Sequence, residues 1–178
     1  MNAVVAAGLA ALAGCDTPCI PGAIAGFDAL PHRLQDLGVY KGIRFVNDSI
    51  ATVPEATMAA LKAFPDTGVL ILGGYDRGIG FKELYRELSR LQPGLIILMG
   101  PAGRRMEREL GDAEASGLRL LRASDMAEAV ALCFRHARQG STCLLSPASA
   151  SYDAYGGFEE RGADFAAEVR RQGGTESS

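Results

Sequence analysis

Short apolar runs alternate with longer amphipathic segments along most of the chain, and glycine or polar residues end each run. Such continuous runs are typical of strands buried on both faces of a parallel sheet, and the amphipathic segments are typical of helices that cover it. Strands are predicted over residues 39–46 (interrupted by a turn at Lys41-Gly42), 69–72, 95–99, 118–121 and 142–145. Helices are predicted over residues 54–64, 81–91, 102–110, 124–137 (with Ser124 as the N-cap) and 158–171.

This alternation predicts an α/β fold with a Rossmann-like, doubly wound, mostly parallel sheet flanked by helices. The first part of the chain does not fit that unit, because it reads as helices over residues 3–13 and 21–29 followed by a loop at Pro31. We therefore expect an N-terminal helical appendage over residues 1–37, an α/β domain over 38–172 and a flexible tail over 173–178.

Composition excludes several classes of protein. The chain has 178 residues with a net charge of −3, and no cluster of Lys or Arg suggests a nucleic-acid partner. The apolar run over residues 3–13 has no Lys or Arg before it and is too short to cross a bilayer, so we expect neither a signal peptide nor a membrane span. No metal-ligand spacing surrounds the cysteines, so a cytoplasmic protein with reduced thiols is expected. The cysteines are Cys15, Cys19, Cys133 and Cys143.

Polar clusters follow three of the predicted strands, at the edge where parallel sheets bind ligands. The cluster over residues 47–52 can bind ribose hydroxyls or a carboxylate, or Asp48, Ser49 or Thr52 can simply cap the next helix. Arg77 in a glycine-rich loop can clamp a carboxylate, or can be a surface residue of a turn. The serines over residues 146–151 fit an anionic ligand better than nucleophilic catalysis, because His32 and His136 are the only histidines.

The sequence contains no Walker A loop, no dinucleotide-binding glycine motif and no cluster of metal ligands. The residues by themselves therefore predict an α/β domain that binds a small anionic ligand without catalytic machinery of its own.

Five motifs occur in order along the chain, and together they resemble the C-terminal domain of the Mur ligases, in the branch that adds glutamate. The motifs are Leu30-Pro31-His32-Arg33, Asn47-Asp48-Ser49-x-Ala51-Thr52, Leu72-Gly73-Gly74-x-Asp76-Arg77-Gly78, Leu145-Ser146-Pro147-Ala148-x-Ala150-Ser151-x-Asp153 and Phe158-x-x-Arg161-Gly162-x-x-Phe165. The resemblance implies that residues 1–37 end a central ATPase domain and residues 38–172 form the glutamate-binding domain. The chain is then the C-terminal part of a ligase and is expected to be inactive alone.

The family reaction is ATP-dependent formation of an amide bond through an acyl phosphate, in peptidoglycan synthesis. The resemblance implies ATP and Mg²⁺, bound mainly by the central domain, and the substrates UDP-N-acetylmuramoyl-L-alanine and glutamate. It implies no catalytic or metal-binding residue within this chain, and we expect a monomer. By motif position, the nucleotide is contacted by Asn2, Arg33 and Asp48, the glutamate carboxylates by Thr52, Arg77 and Ser151, and the glutamate pocket is lined by Tyr152 and Phe158.

Two residues depart from the family pattern. Ile50 stands where the usual motif has Lys, and Arg77 stands where a Gly-Gly-x-x-Lys pattern has Lys. Because Arg and Lys are not interchangeable, these changes alter the geometry presented to a carboxylate. The Ile-Ala-Thr and Tyr-Asp-Arg-Gly pattern is similar to a variant branch of the family that adds L-glutamate, so the resemblance leaves D-glutamate and L-glutamate both open as substrates. A stand-alone module that binds a small dicarboxylate, and a structural or regulatory remnant of a ligase, are the alternative functions.

Overall fold

The computed structural model describes residues 2–25, 30–110 and 117–175, apart from the side chains of residues 2–4 and 25. The chain divides into two compact units, Met1–Leu30 and Pro31–Ser178. The first unit holds helices α1 (Asn2–Leu12) and α2 (Cys19–Ala25). The rest of the helix predicted over residues 21–29 lies outside the described residues.

The second unit is built on a six-stranded sheet in the order β1-β2-β6-β3-β4-β5. β1 pairs antiparallel with β2, and all the other neighbouring pairs are parallel. The predicted doubly wound, mostly parallel fold is confirmed. The strands are β1 (Gln35–Tyr40), β2 (Ile43–Asn47), β3 (Thr67–Gly73), β4 (Leu95–Met99), β5 (Leu120–Arg122) and β6 (Thr142–Leu145).

The turn predicted at Lys41-Gly42 is confirmed, but the prediction of one strand over residues 39–46 is wrong, because the turn separates two antiparallel strands. Lys41 and Gly42 both have positive φ, 52° and 74°, and form the two-residue turn that reverses the chain. β1 begins at Gln35, so the compact unit starts earlier than the expected boundary between residues 37 and 38.

The helices of the second unit lie on both faces of the sheet. Apolar side chains of the first three of these five helices along the chain pack on one face of the sheet, against strand residues such as Leu70 and Leu72. Apolar side chains of the last two helices pack on the other face, against strand residues such as Val69 and Ile71. The helices are α3 (Pro54–Ala63), α4 (Lys82–Leu91), α5 (Gly100–Leu110), α6 (Met126–His136) and α7 (Phe158–Gly173).

This topology places β6 at the centre of the carboxyl edge of the sheet. β6 lies between β2 and β3, and the helix that follows it lies on the opposite face from the helices that follow its two neighbours. Such a reversal opens crevices at the carboxyl ends of the strands. The loops after β2, β6 and β3 therefore lie side by side, and they are the loops that carry the polar motifs.

Two helix ends differ from the prediction. Asp125, not Ser124, is the N-cap of α6: Asp125 has extended backbone and its carboxylate accepts from the N–H of Glu128 at 2.8 Å. The N–H and hydroxyl of Ser124 instead donate to the Glu128 carboxylate. α7 continues to Gly173, so only Gly174 and Thr175 of the predicted tail are described outside it, and residues 176–178 lie outside the described residues.

No helix in the described part of the chain is long and apolar enough to cross a membrane. The four cysteines are free thiols, with Cys15 and Cys19 exposed and Cys133 and Cys143 buried in the core.

Gly73 permits a close approach between β3 and the start of α5, and this approach sets the path of the loop after β3. Its φ is +107°, and a Cβ there would collide with the carbonyl oxygen of Met99. We predict that Gly73→Ala lowers the free energy of unfolding by more than about 2 kcal/mol in urea denaturation. Gly80→Ala is the matched control, because a Cβ there meets no atom within 4 Å, and it should change the value by less than about 1 kcal/mol. Equal stability of the two variants would contradict this account.

Candidate functional site

Backbone hydrogen bonds join the three polar loops at the carboxyl edge of the sheet. The N–H of Asp48, after β2, donates to the carbonyl of Leu145 in β6 at 2.8 Å. On the other side of β6, the N–H of Gly73 donates to Pro147 at 2.8 Å and that of Tyr75 donates to Ala150 at 2.9 Å. The loop after β6 is thus held between its two neighbours.

Arg161, in the first turn of α7, ties the loop after β2 to the loop after β6. Only 4% of its surface is exposed. Its guanidinium donates to the hydroxyl of Ser49 at 3.0 Å and to the carbonyl of Ser49 at 2.7 Å. It also donates to the carbonyls of Ser149 and Ala150, both at 3.0 Å. Burial lowers the pKa of Arg161 to about 10, and the nearby charge of Asp153 partly opposes that shift.

Asp48 lies inside this arrangement. Its carboxylate accepts from the N–H of Leu34 at 3.1 Å and from the hydroxyl of Ser146 at 2.8 Å. Burial raises the pKa of Asp48, and these two hydrogen bonds partly offset the effect. One carboxylate thus joins the turn before β1 to the loop after β6. Its contact with ribose hydroxyls stays a prediction.

The interpretation of residues 47–52 as ordinary helix caps is wrong. The N-cap of α3 is Val53, which makes no side-chain capping bond, and Pro54 occupies the first turn. Asn47 is used differently, because its amide nitrogen lies 3.0 Å from Nδ1 of His32 and donates to the carbonyl of Gly162 at 3.0 Å. The polar side chains after β2 therefore hold neighbouring segments in place.

Arg33 is presented to solvent by a constrained turn. His32 and Leu34, on either side of it, have φ values of +62° and +45°, which are uncommon for residues with a side chain. Both are bound to the loop after β2, His32 through its carbonyl to the N–H of Ile50 and Leu34 through its N–H to Asp48. The other residue predicted to contact the nucleotide, Asn2, begins α1 in the first unit, and its side chain lies outside the described part.

The structure brings Thr52 and Arg77 into direct contact. A guanidinium nitrogen of Arg77 donates to the carbonyl oxygen of Thr52 at 2.6 Å. Thr52 is partly exposed and Arg77 is exposed. Two of the three residues predicted to bind glutamate carboxylates thus come from different loops and meet at the surface.

The other residues predicted for the glutamate site lie in two parts of the structure, Ser151 and Tyr152 in the loop after β6 and Phe158 at the start of α7. Ser151 is buried, whereas Tyr152 is 67% exposed and packs edge-on against Tyr75, with ring centroids 6.3 Å apart. Phe158 begins α7, and its ring lies 6.3 Å from that of His32. Among the described residues, no hydrogen bond or ring contact joins Phe158 to Tyr152.

Sequence reasoning missed Tyr75 and assigned no role to Arg161. Tyr75 is an exposed aromatic residue beside Tyr152, and only the glycine-rich character of its loop marked its position. Arg161 did carry a signal, because it falls on the buried side of an amphipathic helix, between Phe158 and Phe165. A charged residue at such a position is expected to be paired or hydrogen-bonded.

Arg105 of α5 binds the loop that carries Arg77. Its guanidinium donates to both carboxylate oxygens of Asp76, at 2.8 and 3.0 Å, and to the carbonyl of Ile79 at 2.6 Å. It also donates to Glu109 at 2.6 Å and lies 4.5 Å above the ring of Phe81. The Arg105 guanidinium and the N–H of Gly78 hold the pKa of Asp76 below its ordinary value.

A separate cleft opens beside these loops, on the side of the sheet that carries α6 and α7. Burial raises the pKa of its Asp153 carboxyl. No group of three or more potential metal ligands occurs within the part of the chain that the structure describes. The cleft is lined by residues that include Gly73, Gly74, Gly100, Asp153, Tyr155 and Arg161.

The family model described as "Mur ligase, glutamate ligase domain" matches residues 32–149. The chain belongs to the Mur ligase family. A UDP-N-acetylmuramoylalanine-D-glutamate ligase of Symbiobacterium thermophilum is 40% identical over 164 residues, which are 92% of this chain and 36% of that protein. The protein of the same name from Streptococcus pyogenes serotype M1 is 41% identical over 93% of this chain and 36% of its own length. The chain thus spans little more than a third of these relatives.

Solved structures of two enzymes share the fold. UDP-N-acetylmuramate-alanine ligase from Thermotoga maritima matches with a TM-score of 0.66 at 14% identity, covering 96% of this chain and 37% of its own. The bifunctional folylpolyglutamate synthase/dihydrofolate synthase of Yersinia pestis matches with a TM-score of 0.58 at 15% identity, covering 89% and 34%. The Mur ligase match over residues 32–149 includes Arg33, Asp48, Thr52 and Arg77.

Removal of the Arg161 guanidinium should destabilise the domain. Arg161→Met leaves the buried carbonyls of Ser49 and Ser149 without a donor and leaves that of Ala150 with only the N–H of Tyr75. We therefore predict a loss of at least about 2 kcal/mol in the free energy of unfolding. Arg171→Met, on the same helix, removes only an exposed pair with Glu168 and should change that value by less than about 0.5 kcal/mol. Urea denaturation of both variants tests this, and similar losses would show that Arg161 is not a special anchor.

The pair of Asp76 and Arg105 should make stability depend on pH. Because the folded-state pKa of Asp76 lies below the ordinary value of 3.8, its ionised form stabilises the fold above that value, and the benefit is lost as the pH falls through the folded-state pKa. Wild type should therefore have a higher free energy of unfolding than Asp76→Asn at pH 7, and this difference should become smaller towards pH 3. When both proteins also carry Arg105→Met, the difference should already be smaller at pH 7. A difference that is unaffected by pH in urea denaturation would contradict this prediction.

Proposed function

We propose that this chain is the glutamate-binding part of an ATP-dependent ligase that joins glutamate to UDP-N-acetylmuramoyl-L-alanine in the cytoplasm, during peptidoglycan synthesis. The observation that carries the proposal is the contact between Arg77 and Thr52 beside the serine-rich loop, in a chain matched by the glutamate ligase domain. The names of the relatives support the choice of substrates. We further propose that the ligase acts as a monomer.

Arg77 is suited to bind a carboxylate. One of its nitrogens is engaged by Thr52, while its Nε and other terminal nitrogen make no hydrogen bond among the described residues. A guanidinium carries five N–H donors and Thr52 engages one of its nitrogens, so Arg77 retains donors for a carboxylate. The hydroxyl of Ser151 likewise has no hydrogen-bond partner in the described part of the chain. Thr52, Arg77 and Ser151 together would hold the glutamate carboxylates, with Tyr152 and Phe158 along the pocket.

The proposed reaction depends mainly on the position of the glutamate amine relative to the acyl phosphate. In the family reaction ATP phosphorylates the alanyl carboxylate, the glutamate amine attacks the acyl phosphate, and inorganic phosphate leaves as the amide forms. This chain would hold glutamate so that its amine faces the acyl carbon, and orientation of this kind accounts for much of the rate in such reactions. Arg33, Asp48 and Asn2 would contact the nucleotide, and Mg²⁺ would be bound mainly outside this chain.

The stereochemistry of the glutamate stays open between the D and L forms. Ile50 and Arg77 stand where the family pattern has Lys, so the cations around the carboxylates differ from that pattern. The alternative of a stand-alone dicarboxylate-binding module is not favoured, because the matching relatives are named as ligases.

The ligase that contains this chain provides the test. Arg77→Ala should raise the KM for glutamate at least about tenfold, because a charge-assisted hydrogen bond to the substrate is lost. The KM for ATP should change less than about twofold. Arg86→Ala is the control, because Arg86 forms only an exposed pair with Glu83 on α4. Both D- and L-glutamate should be assayed. Unchanged glutamate kinetics with both would overturn the proposed function.

A further inference from the structure

The loop between β3 and α4 carries Arg77, and its backbone is hydrogen-bonded to other segments at its start, where Gly74 bonds to Met99 and Ala102. Gly78 has a φ of +73°, and neither Gly78 nor Gly80 has an atom within 4 Å of where a Cβ would lie. The N–H of Tyr75 binds Ala150 at the start of the loop, and Gly78 binds only within it, to Asp76. A glycine-containing surface segment of this kind is flexible unless another element holds it.

α5 supplies the missing anchor through Arg105. Its guanidinium grips both oxygens of Asp76, the residue immediately before Arg77, and the carbonyl of Ile79, two residues after it. It also stacks on Phe81, where the loop joins α4. Arg105 thus contacts the loop on both sides of Arg77 without any hydrogen bond to Arg77 itself.

Other side chains of α5 and α4 fix the position of Arg105 in turn. Glu109, one helical turn later on α5, accepts from Arg105 at 2.6 Å and from the hydroxyl of Tyr85 on α4 at 2.9 Å. Only 19% of the Arg105 side chain is exposed. An isolated surface ion pair contributes little, but a bidentate pair inside a network of this kind restricts geometry.

We propose that Arg105 is a positioning residue, which holds the loop after β3 so that Arg77 reaches Thr52 and the glutamate carboxylate. This inference rests on the proposed function. Arg105 acts through Arg77, because its hydrogen bonds and ring contact among the described residues are with the loop, with Phe81 at the end of the loop and with Glu109 of α5. Small displacements of a substrate-binding group are costly in reactions that depend on orientation.

The first test is kinetic and uses the ligase that contains this chain. Arg105→Met should raise the KM for glutamate about tenfold and change the KM for ATP less than about twofold. In an Arg77→Ala background, Arg105→Met should cause no further rise, since the residue that it positions is gone. Arg105→Lys should recover only part of the affinity, because an ammonium cannot bind both oxygens of Asp76 in the same way.

The control is Arg122→Met, which removes a different arginine pair with α5, to Glu107, and should leave the KM for glutamate unchanged. An Arg105→Met effect of equal size in the wild-type and Arg77→Ala backgrounds would overturn the proposal. So would an equal rise of KM for every substrate, because that is the result of general destabilisation.

The second test separates this inference from the proposed function. In the 178-residue chain, ¹⁵N relaxation should show that Arg105→Met increases the mobility of the amides over residues 76–80 and leaves those of β3 and β4 unchanged. Unchanged loop mobility would overturn the positioning role. If the loop becomes mobile but Arg77→Ala does not alter the KM for glutamate, the proposed function is wrong and Arg105 still anchors the loop.

Discussion

The buried guanidinium of Arg161 is the interaction on which the candidate site depends. A buried cation is costly unless hydrogen bonds compensate it, and Arg161 is compensated by acceptors of Ser49, Ser149 and Ala150 rather than by a hydrogen-bonded carboxylate. Those carbonyls belong to loops beyond the ends of the strands, and of the three only that of Ala150 also accepts from a backbone N–H, that of Tyr75. The guanidinium supplies donors to these loops, and their oxygen atoms compensate its burial, so Arg161 holds the loop after β2 against the loop after β6.

The topology explains why one arginine is sufficient. β6 lies between β2 and β3, so the loop that follows it can bond directly to both neighbours. Arg161 holds the loop after β6 against the loop after β2, and the hydrogen bond from Tyr75 to Ala150 joins it to the loop after β3. Arg105 then holds the loop after β3 in the position in which Arg77 contacts Thr52. The site is therefore assembled from loops, while its supports come from α5 and α7.

The sequence predicts best the strands that are buried, because their apolar residues form a continuous run. β4 is apolar throughout, β6 is apolar after Thr142, and both are buried and are followed by glycine or serine, so their predicted bounds match the structure. The start of β1 was not predicted, because an edge strand need not be apolar and the polar residues Gln35 and Asp36, together with Gly38, are not typical of a buried strand. Ser124 and Asp125 are equally good capping residues by type, and only the backbone shows which of them precedes the helix.

The candidate site was predicted as a set of residues but not as an arrangement. Motif order identified Thr52, Arg77 and Ser151, but sequence spacing cannot show that Arg77 reaches the carbonyl of Thr52. The interpretation of residues 47–52 as helix caps failed because Asn47, Asp48 and Ser49 bind distant segments instead. Tyr75 and Arg105 were not identified, because their roles depend on partners that only the folded chain brings near.

We propose that glutamate binds where the loops after β2, β3 and β6 meet. This can be tested by a crystal structure of the proposed full-length ligase with glutamate and a nonhydrolysable nucleotide bound. We predict that the glutamate carboxylates lie within hydrogen-bonding distance of the Arg77 guanidinium and of the hydroxyls of Thr52 and Ser151. Glutamate bound instead in the cleft beside Asp153 and Tyr155, with Arg77 exposed to solvent, would contradict the account.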